Sequence, residues 1–316
     1  METAARPSIS VVIPVYNSEE CLPELLQKLT EALTGISDDY EIILVNDCSP
    51  DNSWETMIAL SDQYDCMKCI NLRRNFGQDC AIMAGLHHAT KQVITIMDDD
   101  LQHNPDDIVK LVEVLGNKYD VCYACFKNKK QSLFKNFGSW FNGKFAEITL
   151  GKPAHIYLSP FKVIRREVIE DMIKYDGPYP YIDGLIFRTT RNITQIELEH
   201  HARYMGEGNF TLLRSLSVWA RVVTTFSVKP LRMAILLGLT SSGIGFIMAL
   251  YFICKRLWGD EVIPYGWAST FVTILFLGGI QLMTLGVIGE YVGRTFIQNN
   301  REPQFIIREI RSGGGT

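Results

Sequence analysis

From residue 8 to about residue 125 the chain alternates two patterns. Short runs that are apolar at nearly every position are separated by segments whose apolar residues recur every three or four. SISVVIP, EIILVN, KCINL, VITIMD and YDVCYA read as strands. The intervening stretches Glu19–Leu33, Ser53–Tyr64, Gln78–Ala89 and Pro105–Leu115 read as helices. Strands that are apolar throughout and joined by helices predict an α/β fold with a Rossmann-like, mostly parallel sheet covered on both faces. Ligands of such sheets bind beyond the carboxyl ends of the strands, so chemistry is expected in the residues just after each one.

The pattern changes between about Gln131 and Phe226. SLFKNFGSWFNGKF and FTLLRSLSVWARVVTTF mix aromatic residues with spaced cations. They predict helices over about 131–148 and 210–228, either lying in a membrane interface or packed as ordinary amphipathic helices on the sheet. Met233–Cys254 is then an uncharged run of roughly 22 residues and Val262–Gly289 one of roughly 28, each above the roughly 20 needed to cross hydrocarbon. Two transmembrane helices, about 231–255 and 263–290, joined by KRLWGDEVIPYG, form the expected hairpin. Arg214, Arg221, Lys229 and Arg232 precede it, and Arg294, Arg301 and Arg308 follow it, whereas the link carries only Lys255 and Arg256. The positive-inside bias places both termini and the α/β domain in the cytosol, as expected of a multi-pass protein of the inner (cytoplasmic) membrane. The domains expected are 1–229, 230–298 and a tail, 299–316, with one short strand. Gly238, Gly243, Gly245, Gly278, Gly279, Gly286 and Gly289 permit close helix approach and suggest a homo-oligomer, as does the strand-like QFIIREI, whose edge could pair with another subunit. The final SGGGT reads as a flexible linker.

Composition narrows the function. With 47% hydrophobic and 21% charged residues the chain is globular rather than disordered, and a formal net charge of -4 argues against nucleic acid as a partner. Lys127, Lys129, Lys130, Lys135 and Lys144 cluster locally, as on a solvated helix face. METAARPSIS has no apolar run, so no secretory signal is expected and the eight cysteines suit a reducing compartment. Cys66/Cys69 and Cys122/Cys125 have zinc-like spacing. They lie in or beside strands, where positions i and i+3 face opposite ways, so a zinc site is not expected.

The acidic segment VITIMDDDLQHNPDD carries the chemistry. Asp106 and Asp107 suit the start of a helix. Asp98, Asp99 and Asp100 sit earlier, at a strand end, where they would repel one another unless a cation lay among them. Hard oxygen ligands suit Mg²⁺ or Mn²⁺, which can also bridge a diphosphate. Asp47 ends another strand, where a carboxylate could accept hydrogen bonds from a base or ribose. Ser49, Asp51, Asn52 and Ser53 read as a turn and helix cap. Neither GxGxxG nor a P-loop is present, which removes the usual cradles for dinucleotides and nucleoside triphosphates.

VVIPVYN, VNDCSPDNS and MDDDLQHNP following RRNFGQDCAIMAGL resemble glycosyltransferase family 2, with its GT-A fold. Together with HHARYMGEGNFTLLRSL, VKPLRMAILLG and LGVIGEYVGR they resemble its polyprenyl-phosphate branch, which holds dolichol-phosphate mannose synthases and undecaprenyl-phosphate 4-deoxy-4-formamido-L-arabinose transferases. The resemblance covers nearly the whole chain. It implies that Pro14, Tyr16, Asn17, Glu19, Asp47, Asp98 and Asp99 line the nucleotide-sugar site, and that Asp98, Asp100 and Gln102 match the family's metal and diphosphate motif. It implies that Arg203 lies near the donor and acceptor phosphates, and that Lys135 and Ser139 hold the lipid phosphate. Asp100 and Arg203 are the catalytic residues it implies. The chain also departs from the pattern. Asp99 stands where many members have alanine, Gly208-Asn209 replaces a Ser-Lys pair, and Pro160 stands where many relatives carry the acid of a T-G-D-F-R segment.

The resemblance thus implies an inverting membrane transferase that moves a sugar from a nucleotide-sugar, by branch UDP, to polyprenyl (undecaprenyl) phosphate, and a tetramer by analogy with close relatives. A phosphate monoester has a second pKa near 6, so the acceptor is mostly dianionic at neutral pH and needs positioning more than a general base. A processive polysaccharide synthase would carry Q-x-x-R-W and more spans, which are absent here. A catalytically silent nucleotide-sugar-binding partner in a membrane complex is the alternative from another class. The sugar is expected to be read around His155–Tyr157 and Tyr179–Asp183.

Overall fold

The computed structural model describes residues 6–126, 153, 156–198, 229–258, 266–300 and 302–314. The chain divides into two compact units, one of residues 1–209 with 301–316 and one of residues 210–300.

The first unit is an eight-stranded sheet flanked by helices. Its strands are β1 (Ile9–Val15), β2 (Tyr40–Asn46), β3 (Met67–Leu72), β4 (Val93–Ile96), β5 (Val121–Phe126), β6 (Lys162–Arg165), β7 (Ile193–Leu198) and β8 (Ile307–Ser312). Its helices are α1 (Leu22–Ile36), α2 (Ser53–Ser61), α3 (Gln78–His88), α4 (Asp107–Leu115), α5 (Arg166–Met172) and α6 (Ile182–Thr189). The sheet order is β7-β5-β6-β4-β1-β2-β3-β8. β6 runs antiparallel to β4 and β5, β8 runs antiparallel to β3, and the other pairs are parallel. All seven residues of β1 are buried, which is why it reads as an unbroken apolar run. α1 seats Leu22, Leu25, Leu26, Leu29 and Leu33 in the core, one stripe of a 3.6-residue repeat. It starts at Leu22 rather than Glu19, because residues 16–19 are bonded into the sheet rim.

α3 lies close against the sheet. A Cβ on Gly85 would meet Val12 Cγ1 at 2.4 Å and Val45 Cγ2 at 3.2 Å, so glycine sets how near the helix comes. Cys69 and Cys122 are buried within β3 and β5, and burial pushes both thiols up to about 12.

One expectation about the tail changes and one gains a location. QFIIREI runs into β8, which pairs by one edge with β3 of its own chain and, as the last strand of the sheet, turns its other edge outward. SGGGT is not a free linker throughout: Gly313 donates its N–H to Met67 O at 2.8 Å, and a Cβ there would stand 2.1 Å from Tyr64 O. Gly314 has φ +88°, where a side chain is strained. Just before the strand, Arg73 N donates to Ile306 O at 2.9 Å, and buried Gln304 donates to Tyr175 O.

The second unit holds two helices in contact, α7 (Lys229–Trp258) and α8 (Trp267–Asn299). α7 outruns its expected bounds at both ends, whereas α8 begins four residues after 263 and continues nine residues past 290, IGEYVGRTFIQN holding no proline to stop it. Among the described residues, one window long and apolar enough to cross a membrane is present, Phe276–Gly293 in α8, and none of it is buried within the chain. The comparable stretch of α7, Ala234–Ile247, is shorter. The predicted interfacial helices and the lysine cluster lie outside the described residues.

Candidate active site

Strand order and one proline open a crevice at the sheet rim. β1 pairs with β2 along its whole length but with β4 only from Ile9 to Val12. Met97 N still donates to Val12 O, yet two residues on Pro14 has no N–H to offer. β1 and β4 therefore part beyond Ile96, at the point where the chain switches from one side of β1 to the other. Such switch points are where open α/β sheets bind ligands. Pro14 itself is buried, so its part is to end the ladder.

Three loops meet at that crevice, and each holds one non-glycine residue in the left-handed region: Asn17 (φ 59°) after β1, Cys48 (φ 56°) after β2 and Leu101 (φ 57°) after β4. Such conformations are uncommon for residues with side chains and persist where surrounding bonds impose them. The bonds are present. Asn17 N donates to Ser49 Oγ and Ser18 N to Ser53 Oγ, both at 3.1 Å. Glu19 N donates to Asp51 Oδ2 at 3.1 Å, and in return Asn52 N and Nδ2 donate to the Glu19 carboxylate at 3.2 Å. Glu19 is thus engaged in joining two loops, while the Tyr16 side chain is exposed at the rim.

The acidic segment is divided by its partners. Asp99 turns back across the crevice, where its Oδ2 accepts from Tyr16 N at 3.1 Å and Ser18 Oγ at 2.5 Å. Burial first, then repulsion from Asp100, pushes its carboxyl up to about 6. Asp98 Oδ1 accepts from Gln78 Nε2 at 2.7 Å, at the start of α3. Asp100 Oδ1 accepts from Gln102 N at 3.1 Å, closing the turn that carries Leu101. Beyond the turn, buried His103 stacks between Phe126 and Phe161, with ring centroids 5.4 and 5.1 Å away. That sandwich anchors the far end of the segment to β5 and to the residue preceding β6.

Asp47 is 3% exposed, and its oxygens serve one backbone donor each: Phe76 N at 2.7 Å to Oδ1 and Gly77 N at 2.9 Å to Oδ2. Burial raises its carboxyl despite those bonds. Asp47 therefore clamps the turn leading into α3, and Gln78 follows directly from that turn.

A second charged group lies beside this rim. Lys162 opens β6 opposite Ile96, the last residue of β4. Its side chain is 4% exposed and is ion-paired with Asp183 in the first turn of α6. The Tyr123 hydroxyl donates to the same Asp183 oxygen at 2.9 Å. Asp79 accepts from Ile182 N at 3.4 Å, and burial together with Asp183 pushes its carboxyl up to about 6. Lys162, Asp79 and Tyr123 did not stand out in the sequence. The available signal was a lysine opening the apolar run FKVI, since a cation in a buried strand needs a partner. Lys135, Ser139, Arg203 and His155 lie outside the described residues.

This chain belongs to glycosyl transferase family 2, whose sequence profile matches residues 10–173, and it is by that membership a glycosyltransferase of GT-A fold. It is similar to undecaprenyl-phosphate 4-deoxy-4-formamido-L-arabinose transferases of Serratia proteamaculans (strain 568) and Yersinia pestis (strain Pestoides F), each 32% identical over 304 residues, 96% of this chain and 93% of theirs. Among solved structures, glucosyl-3-phosphoglycerate synthase from Mycobacterium tuberculosis shares the fold, with TM-score 0.51 and 16% identity over 69% of this chain and 79% of that one.

Proposed function

We propose that the protein is a membrane-anchored, inverting transferase that moves a sugar from a UDP-sugar to a polyprenyl phosphate, with undecaprenyl phosphate the acceptor in a bacterial cell. The observation that carries this reading is the Asp98–Gln102 segment. It is held at its start by Gln78 and at Asp99 by Tyr16 and Ser18, and Gln102 closes its own turn onto Asp100, at the switch point between β1 and β4, where a nucleotide diphosphate would lie. Family membership and the names of the 32%-identical relatives support the acceptor class. The uncovered apolar window of α8 supports the membrane anchor, with α7 as the second span of a hairpin whose basic flanks stay on the cytosolic side. Among the described residues, the seven glycines singled out in α7 and α8 have no neighbour within 4 Å of a Cβ position, which supports helix contacts made by further copies in a homo-oligomer, a tetramer on this reading.

In the proposed reaction an oxygen of the lipid phosphate attacks the anomeric carbon, the bond from that carbon to the UDP oxygen breaks, and its electron pair leaves with UDP. One displacement inverts the centre. The acceptor is already mostly dianionic, so Pro160 in place of an acid is tolerated. Asp98, Asp100 and Gln102 offer oxygen donors. Among the described residues no three His, Cys, Asp or Glu side chains converge, so the protein supplies a partial set of the kind Mg²⁺ or Mn²⁺ completes with substrate phosphates. When bound, the ion would neutralise charge on the departing diphosphate. Asp99 holds the β1 and β4 loops together, and Gln78 orients Asp98. Lys135, Ser139 and Arg203 are assigned to the lipid phosphate, with Arg203 suited to fork two of its oxygens.

The test is UDP release by the full chain in mild detergent with a UDP-sugar panel. Release should require polyprenyl phosphate, stop in excess chelator, and be abolished by Asp100→Asn without a change in melting temperature. Full turnover in chelator overturns the metal role. Nucleotide-sugar binding without lipid-dependent release makes the protein a silent binding partner instead.

A further inference from the structure

The reading above leaves the sugar unassigned, and the buried group around Lys162 bears on it. Lys162 is placed at the rim by its pairing with Ile96, two residues before Asp98. The link to the acidic segment is short. Asp98 accepts from Gln78, Gln78 adjoins Asp79, Asp79 accepts from Ile182 N, and Ile182 adjoins Asp183. These contacts put Asp183 on the same side of the sheet rim as the acidic segment, the side on which, on the reading above, the sugar of a bound nucleotide-sugar would extend.

The bonding of Asp183 is lopsided. Among the described residues, the Lys162 ammonium and the Tyr123 hydroxyl both donate to Oδ1, and Oδ2 accepts from neither. Lys162 also lies 4.9 Å over the Tyr123 ring, which fixes its position from a second side. Lys162 is almost wholly enclosed, whereas the Asp183 side chain keeps 16% of its surface exposed. The pair is buried at its cationic end and open at its anionic end. Charge is unbalanced as well, with two carboxylates, Asp79 and Asp183, around one lysine. A pair serving only to lock α6 onto the sheet needs neither the open oxygen nor the second acid. Buried ion pairs contribute little net stability, so charge kept at a rim points to ligand recognition.

We propose that Asp183, held by Lys162 and Tyr123, determines donor-sugar specificity: its Oδ2 accepts a hydrogen bond from an O–H or N–H of the sugar, and the surplus negative charge excludes sugars bearing a carboxylate. The donor class is a nucleotide linked to an uncharged sugar with a hydrogen-bond donor directed at α6, and uronic acids are rejected. This rests on the nucleotide-sugar reading of the rim.

UDP-glucose and UDP-glucuronic acid differ only in oxidation at C6, so comparing them isolates the charge. Binding of UDP, UDP-glucose and UDP-glucuronic acid is measured by calorimetry on the full chain in detergent with Mn²⁺, for wild type and Asp183→Asn. Wild type should bind UDP-glucuronic acid at least tenfold more weakly than UDP-glucose. In Asp183→Asn, which keeps an acceptor for Lys162 and Tyr123, that ratio should fall at least threefold while UDP affinity is unchanged. Equal affinity of wild type for the two sugars overturns the proposal even if the variant fails to fold, and so does an unchanged ratio in a folded variant. Failure of wild type to bind UDP at all removes the nucleotide reading and this inference with it, whereas UDP binding without sugar discrimination removes the inference alone.

Discussion

Replacing Asp47 with asparagine takes one acceptor away from a side chain that serves two backbone donors. Phe76 N and Gly77 N bond to different oxygens, at 2.7 and 2.9 Å. An amide offers one oxygen and one NH₂, so whichever way it turns, one backbone N–H faces another donor. A hydrogen bond to a charged group contributes about 1.5–3 kcal/mol, and a stranded buried donor costs about 1–3 kcal/mol. Part of this is offset, because burial already raises the Asp47 carboxyl and a neutral side chain relieves that burden. A net loss of about 1–3 kcal/mol follows, and at roughly 2–4 °C per kcal/mol for a chain of this size the melting temperature should drop measurably. Asp99→Asn provides the internal contrast. Both of its bonds fall on Oδ2, so an amide oxygen can take both, and the drop should be clearly smaller. Thermal melts of the full chain in detergent, paired with UDP titration, read out both effects. If Asp47→Asn melts like wild type while UDP affinity collapses, the carboxylate is a nucleotide ligand and its assignment as a clamp is refuted. If neither quantity changes, both roles fall.

Other substitutions have opposite signs at chemically similar places. Gly85→Ala should lower the melting temperature, since its Cβ would lie 2.4 Å from Val12 Cγ1 and overpacking of about 1–3 kcal/mol outweighs the helix gain of about 1 kcal/mol. Gly35→Ala, late in α1 with nothing within 4 Å, should raise it, and equal shifts for the two in circular-dichroism melts would contradict the packing described for α3. Gly313→Ala sets a methyl 2.1 Å from Tyr64 O, a backbone atom that cannot swing aside, so limited proteolysis should release the tail faster than in wild type; an unchanged cleavage rate would show that the tail is held without that contact. Asp79 has its carboxyl pushed up to about 6, so the folded chain holds that proton more tightly than the unfolded chain and loses stability as pH rises from about 4 to about 6, by up to about 3 kcal/mol. Asp79→Asn should therefore melt above wild type at pH 8 and close to it at pH 4.5, and a gap of the same size at both values would show that the proton is not held there.

Local pattern alone determined much of this protein. Unbroken apolar runs located β1 to β5, because strands buried on both faces leave no alternation to read, and a 3.6-residue repeat located α1 and α4. MDDDLQH marked the rim because three acids at a strand end have no simple structural purpose. Partnership was another matter. That Asp99 spans to Tyr16 and Ser18, 83 and 81 residues away, depends on β1 lying beside β4, and strand order is a property of the closed sheet rather than of any window. That Asp47 accepts from Phe76 N and Gly77 N was not legible in its own segment, because both donors come from the β3–α3 turn, which only the folded sheet brings to it. Lys162 and Asp183 are separated by 21 residues and a helix, so their pairing leaves no trace in spacing. SGGGT carries a linker's composition, and only the docking of β8 on β3 puts Gly313 where no side chain fits. Side-chain periodicity is set within a few residues, whereas hydrogen-bond partners and steric limits are set by whatever long-range packing places within about 3 Å of an atom.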